Sequence, residues 1–294
     1  FLVFLQFHCI FGGEQQSVFT GITDPKATWC YKDDKCGEAT WPTPCASGKA
    51  QSPIDLPKIE KTSCTIKSFP RETYESQYFS LESNKKTVGV KLLDFEPSFE
   101  WQEQQATYTF HSIQFHWGGN DSIGSEHTIS GKQFALEMQL IHYRDNLNSL
   151  EEAIGSNLKN SLAIISVLFE VDAKVEKNED LQPIIKFLPG VYYPNAVNAV
   201  REKFNPGALM KGSEAYTYQG SLTIPSCGEQ VQWLIWKQPI KISRSDVEVF
   251  RKVTSTNKGG PLLDNFRSIQ KLEDRKVQLC EIKFDKDKRR QISE

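Results

Sequence analysis

The side chains best suited to chemistry crowd into one stretch, where Gln114, His116, Glu126, His127, Glu137, Gln139 and His142 fall between residues 114 and 142. Imidazoles and carboxylates at this density can bind a metal, move protons, or satisfy one another in a buried polar network. Their spacing begins to sort them. Side chains alternate between the faces of a strand, so Gln114 and His116 share one face while Phe115 points to the other. His111 precedes His116 by an odd separation and is expected on the opposite face. A catalytic zinc takes three protein ligands and keeps a fourth position for the water it acidifies. Glutamine offers only a neutral amide oxygen, a weak donor for an ion that prefers imidazole and thiolate. Residue types alone leave a metal site and a metal-free hydrogen-bonded network both open.

These residues must be positioned by strands. Period-two alternation over 107–116, 134–143 and 230–235 predicts β-structure. Helix signals are fewer: Asn148 or Ser149 can cap a stretch through Leu158, and Ser243 or Ser245 one through Val253. The chain has 294 residues, enough for one large domain or two small ones. A net charge near −2 without a basic stripe argues against a nucleic-acid partner. The basic cluster at 286–290 is short, interrupted by Asp287, and reads as part of a solvated polar tail over 284–294.

The apolar opening, 1–13, is as long as a signal-peptide hydrophobic region and too short to span a bilayer as a helix. We read residues 1–20 as a secretory leader lacking its start. No other stretch suits a membrane span, and the polar 283–294 does not suit a lipid-anchor signal. A soluble extracellular product is expected. Of seven cysteines, removing Cys9 with the leader leaves six, an even number as a secreted, oxidised chain favours. Asn120-Asp121-Ser122 is the sole Asn-x-Ser/Thr sequon, so Asn120 is the expected glycosylation site.

Three segments, Gln114-Phe115-His116-Trp117-Gly118, Gly124-Ser125-Glu126-His127-Thr128 and Glu137-Met138-Gln139-Leu140-Ile141-His142, together resemble the metal-binding core of the α-carbonic anhydrases. Three further segments resemble other signatures of that family in the same order: 48–55 (Gly-Lys-Ala-Gln-Ser-Pro-Ile-Asp), 220–225 (Gly-Ser-Leu-Thr-Ile-Pro) and 264–267 (Asp-Asn-Phe-Arg). The resemblance covers residues 27–283 as one domain. It implies a mainly β fold, a large twisted and mostly antiparallel sheet with peripheral helices. It also implies that the zinc-ligand positions are Gln114, His116 and Gln139, so two of three imidazoles are replaced.

The same resemblance assigns the surrounding residues. Glu137 and His127 match the positions that support the ligands, Thr223 and Glu126 the pair that orients a zinc-bound hydroxide, and Lys86 the proton-shuttle position. A lysine ammonium is a poor relay near neutral pH. Ile141, Ile164, Leu222, Val231 and Trp233 match the apolar wall of the pocket, and Ile224 makes it drier; all are equally plain core residues of a β protein. The implied disulfides are Cys45–Cys227 and Cys30–Cys36, leaving Cys64 with Cys280 either paired or free. The implied protein is a secreted carbonic anhydrase-related chain, without zinc or another cofactor and without CO2 hydration, acting by binding an extracellular protein, glycan or small ligand. The alternative is a weakly active hydratase that recruits zinc through His116, Gln114 and Gln139.

Overall fold

The computed structural model describes Ser17, Phe19 and residues 29–284 apart from 70, 157, 257 and 258. The rest of the expected leader and the expected tail from 285 onward lie outside the described residues. Ser17 and Phe19 pack on the domain: the Ser17 hydroxyl donates to Glu82, and Phe19 is buried.

Fourteen strands occur among the described residues: β1 (Asp55–Leu56), β2 (Cys64–Phe69), β3 (Gln77–Ser83), β4 (Val88–Leu92), β5 (Ser98–Trp101), β6 (Ala106–Trp117), β7 (Thr128–Ile129), β8 (Leu136–Arg144), β9 (Leu162–Val171), β10 (Val197–Phe204), β11 (Glu214–Gly220), β12 (Val231–Trp236), β13 (Ile240–Ile242) and β14 (Gln278–Phe284). Twelve form one sheet in the order β10-β3-β4-β6-β8-β9-β12-β11-β14-β2, with β5 joined to β6 and β13 to β9. The pairs β9–β12, β9–β13 and β2–β14 are parallel and the others antiparallel. The expected mainly β, mostly antiparallel sheet is the observed one. β1 and β7 make a small parallel ribbon beside it.

The central strands β8 and β9 are buried on both faces because both faces are covered. One face carries a large core that includes Phe115, Met138, Leu140, Ile165 and Val167. The other carries a second cluster that includes Trp41, Ile141, Ile164 and Trp233, interrupted by a band of buried polar side chains.

Helices stay at the periphery. In α1 (Leu150–Gly155) the Ser149 side chain accepts from the Glu152 N–H. This helix ends before the expected Leu158, because the hydroxyls of Ser156 and Ser161 both bond the Ala153 carbonyl and so replace the next helical turn. In α2 (Arg244–Phe250) Ser243 and Asp246 form a reciprocal capping box, and the helix ends short of Val253.

β6 departs from regular alternation at one residue. Phe110 pairs with His142 and Ser112 with Ile141, so His111 is a bulge. The parity argument for His111 therefore does not hold across that point. Its ring bonds Ser112 Oγ at 2.9 Å and lines a surface cavity with Lys91 and Tyr143.

Three disulfides form: Cys30–Cys36, Cys45–Cys227 and Cys64–Cys280. The last joins two residues directly paired across β2 and β14, which resolves the choice between bridged and free thiols. Cys45–Cys227 spans 182 residues of sequence. Closing so long a loop restricts the unfolded chain strongly, so replacing both by serine is expected to cost about 2 to 5 kcal/mol. Urea unfolding of the double variant checks the magnitude, and peptide mapping under non-reducing conditions checks the pairing.

Candidate functional site

The polar band is built from register. Gln114 on β6 stands opposite Gln139 on β8, His116 opposite Glu137, and Gln139 opposite Ser166 on β9. Directly paired residues share a face, so strand pairing alone brings Gln114, Gln139 and Ser166 into one row. The next row is apolar: Ile141 pairs with Ile164, and Ile164 with Trp233 on β12. Ile141, Ile164, Leu222, Ile224, Val231 and Trp233 are all buried in the same cluster as Trp29, Tyr31 and Trp41.

Glu137 is the hub. Its Oε2 accepts from the backbone N–H groups of Glu126 (2.9 Å) and His127 (2.8 Å). Its Oε1 accepts from His127 Nδ1 (2.9 Å), Gln139 Nε2 (2.9 Å) and Ser166 Oγ (2.8 Å). Burial pushes this carboxyl up, but the charge and hydrogen bonds of His127, with a pull from His116, outweigh burial and hold it at about 2.

The network continues outward. His127 Nε2 bonds the Tyr218 hydroxyl at 2.7 Å, which meets Ser52 Oγ at 2.8 Å. Ser52 and Ser221 then exchange hydrogen bonds through their backbone N–H groups and hydroxyls, at 2.9 and 3.0 Å. Burial, only partly offset by the Ser52 contact and Arg275, raises the Tyr218 hydroxyl far above the usual phenol range.

His116 is held by the backbone rather than by a neighbouring side chain. Its Nδ1 bonds the backbone carbonyl of Asn265 at 2.7 Å. A carbonyl only accepts, so Nδ1 carries the proton and Nε2 of a neutral ring is a bare acceptor. Nε2 has no hydrogen-bond partner among the described residues, and Glu126 Oε2 lies 3.6 Å away. Gln114 Nε2 is also buried without a partner among them. The expected polar network thus contains Gln139 and Glu137 but does not close through His116 and Gln114.

Gln139 gives its amide hydrogens to two carboxylates, Glu126 Oε2 at 2.8 Å and Glu137 Oε1 at 2.9 Å. Only its amide oxygen is left to face a cation. One imidazole with two amide oxygens is a poor set for zinc, which favours nitrogen and sulfur ligands. Among the described residues no three His, Cys, Asp or Glu side chains are grouped to hold a metal. The residues at this site do not fit zinc.

Both carboxylate oxygens of Glu126 accept from protein, Oε1 from the Arg267 N–H at 3.1 Å and Oε2 from Gln139. Thr223 is buried, yet among the described residues no hydrogen bond joins it to Glu126. Lys86 lies with its ammonium 4.2 Å from the centre of the Trp29 ring.

Sequence reasoning gave no role to Asn265, Ser166, Tyr218 or Ser52. Asn265 orients His116 through its carbonyl while its side chain bonds Trp117 N, Phe115 O and Lys86 O. Asn265 and Ser52 sit inside segments already singled out. Ser166 is the lone small hydroxyl in an otherwise apolar run, and a polar residue placed there demands a partner.

A sequence profile of eukaryotic-type carbonic anhydrases matches residues 36–281. The chain belongs to the carbonic anhydrase family. Carbonic anhydrase 6 of Mus musculus is 31% identical over 263 residues, which are 86% of this chain and 80% of that protein. Carbonic anhydrase 4 of Mus musculus is 32% identical over 263 residues, covering 85% and 83%. A carbonic anhydrase-related protein of Rattus norvegicus is 31% identical over 270 residues, covering 85% and 89%. Relatives of both descriptions therefore stand at the same distance from this carbonic anhydrase family member.

The hub of this carbonic anhydrase fold should show in its acid stability. Because the Glu137 carboxyl is held at about 2, against 4.5 ordinarily, its charge stabilises the fold fully above about pH 4.5. That contribution, on the order of 3 kcal/mol, is lost as pH falls through about 2. Glu137→Gln is expected to be much less stable at pH 7 and to show a flatter pH dependence between these limits. Urea unfolding at a series of pH values measures both.

Proposed function

We propose that this carbonic anhydrase family member holds no zinc, does not hydrate carbon dioxide, and works outside the cell by binding a protein, glycan or small ligand. The observation that carries this reading is the double donation from Gln139 to Glu126 and Glu137. Hydration by a zinc enzyme needs the metal to supply an acidified water. Here the amide ties the two carboxylates together instead, and among the described residues Glu126 accepts from Gln139 and the Arg267 N–H rather than from Thr223. The apolar side chains beside these carboxylates pack with Trp29, Tyr31 and Trp41.

Three disulfides suit an extracellular protein. Among the described residues no helix is long and apolar enough to cross a membrane. Asn120 is exposed in a turn after β6, its side-chain oxygen accepting from the Ser122 N–H and hydroxyl. We propose it as the glycan acceptor. Protein from a secreting host should lose mass on glycosidase treatment, and Asn120→Gln should abolish that loss.

One observation favours the second reading, a weak hydratase: the unpartnered Nε2 of His116 offers a cation one imidazole. Metal analysis and stopped-flow hydration separate the two. The purified protein is expected to carry well under one equivalent of zinc after dialysis and to hydrate CO2 at the background rate. A full equivalent of zinc with catalysis would establish the second reading instead. Gln114→His with Gln139→His should bind zinc far more tightly than the parent in chelator competition, each single variant doing less, because three imidazoles complete a tetrahedral shell.

A further inference from the structure

We propose that a cavity beside the Cys64–Cys280 bridge binds a neutral polyhydroxylated ligand, one sugar unit of a glycan. The cavity has a volume of about 270 Å³ and draws its walls from β2, β11, β12, β14 and the segments around Gln104 and Asn160. That is below the range of about 300 to 1,000 Å³ usual for drug-sized ligands, and suits a single small ring.

Hydrogen-bond direction fixes the polar atoms of this wall. The Thr217 hydroxyl donates to the Trp233 carbonyl at 2.8 Å, and a carbonyl can only accept. Thr217 Oγ1 is then the acceptor for Gln232 Nε2 at 2.7 Å. Gln232 Oε1 in turn accepts from Gln104 Nε2 at 3.4 Å, and Gln104 Oε1 accepts from Asn160 Nδ2. A chain of three amides is thereby oriented from one backbone carbonyl, and its last free atom, Asn160 Oδ1, is an acceptor.

Gln219 reaches the same result independently. Its Nε2 donates to the carbonyls of Glu229 (3.2 Å) and Val231 (3.1 Å), so its amide cannot turn over without losing both. Asn160 Oδ1 and Gln219 Oε1 are both buried, and neither has a hydrogen-bond partner among the described residues. Both residues line the one cavity.

Two oriented acceptors call for a ligand that donates. Hydroxyls, ammonium and guanidinium all donate, but Lys159 and Lys276 lie on the cavity's exposed wall against the single carboxylate of Glu103, which disfavours a cation. A carboxylate or phosphate would meet the two amide oxygens acceptor to acceptor. Hydroxyl groups on a neutral ring satisfy both oxygens, while Trp101 and Ile66 supply apolar wall for its C–H face. The inference gives a place to the glycan among the partner classes proposed above, and it is independent of zinc. Failure to bind sugar would leave the metal analysis untouched.

The test uses the full chain with methyl glycosides of glucose, mannose, galactose and N-acetylglucosamine, followed by saturation-transfer NMR and titration. At least one is expected to bind with a dissociation constant in the millimolar range, insensitive to salt because the ligand is uncharged. Gln219→Met and Asn160→Gly each remove one acceptor and should weaken that binding about five- to tenfold. Glycine tolerates the positive φ of 56° at Asn160. If the Asn160 variant does not fold, the Gln219 variant decides alone. No binding of any glycoside, equal binding by the variants, or tighter binding of ethylammonium or methylguanidinium than of sugar would each overturn the proposal.

Discussion

One carboxylate, buried without access to water, governs the architecture of the site. The two apolar faces of the sheet exclude solvent from Glu137, so every lone pair must be met by protein. Its five donors come from the 126–127 turn, from β8 and from β9. Through His127 the same charge fixes Tyr218 on β11, Ser52 before β1 and the loop that follows β11. Segments distant in sequence are thus held in one geometry by a single ion. Burying a charge costs several kcal/mol unless it is paired and hydrogen-bonded, so each donor is needed by the others.

This explains how glutamine can sit at position 139 without leaving the charge uncompensated. What Glu137 needs from that position is one N–H at hydrogen-bonding distance, and an amide meets the need as an imidazole would. The amide has a second N–H, which goes to Glu126. The framework of a carbonic anhydrase is therefore held by its own hydrogen bonds, and the nature of the site is set by two or three side chains upon it.

The fold and the faces were legible because they depend on local rules. Alternation placed β6, β8 and β12 to within two residues at each end, and spacing put Gln114 with His116. The end of α1 was missed because the hydroxyls of Ser156 and Ser161 arrive at the Ala153 carbonyl from outside the helical pattern. The bulge at His111 was invisible because register is a property of two strands, and one strand's sequence carries no sign of it. The partner of His116 was illegible for a similar reason. It is a backbone carbonyl 149 residues away, which no side-chain type announces.

The bridge between Cys64 and Cys280 has a consequence for the margin of the sheet. Among the described strands β2 is the terminal one on that side, and an edge strand is the arrangement most open to slippage or to pairing with a foreign strand. A slip by one residue would turn every inward side chain of β2 outward. Because the covalent link joins residues that are already Cα partners, it admits only the native alignment. The margin of the sheet is thus indexed chemically, and once oxidised this edge cannot be re-registered without reduction.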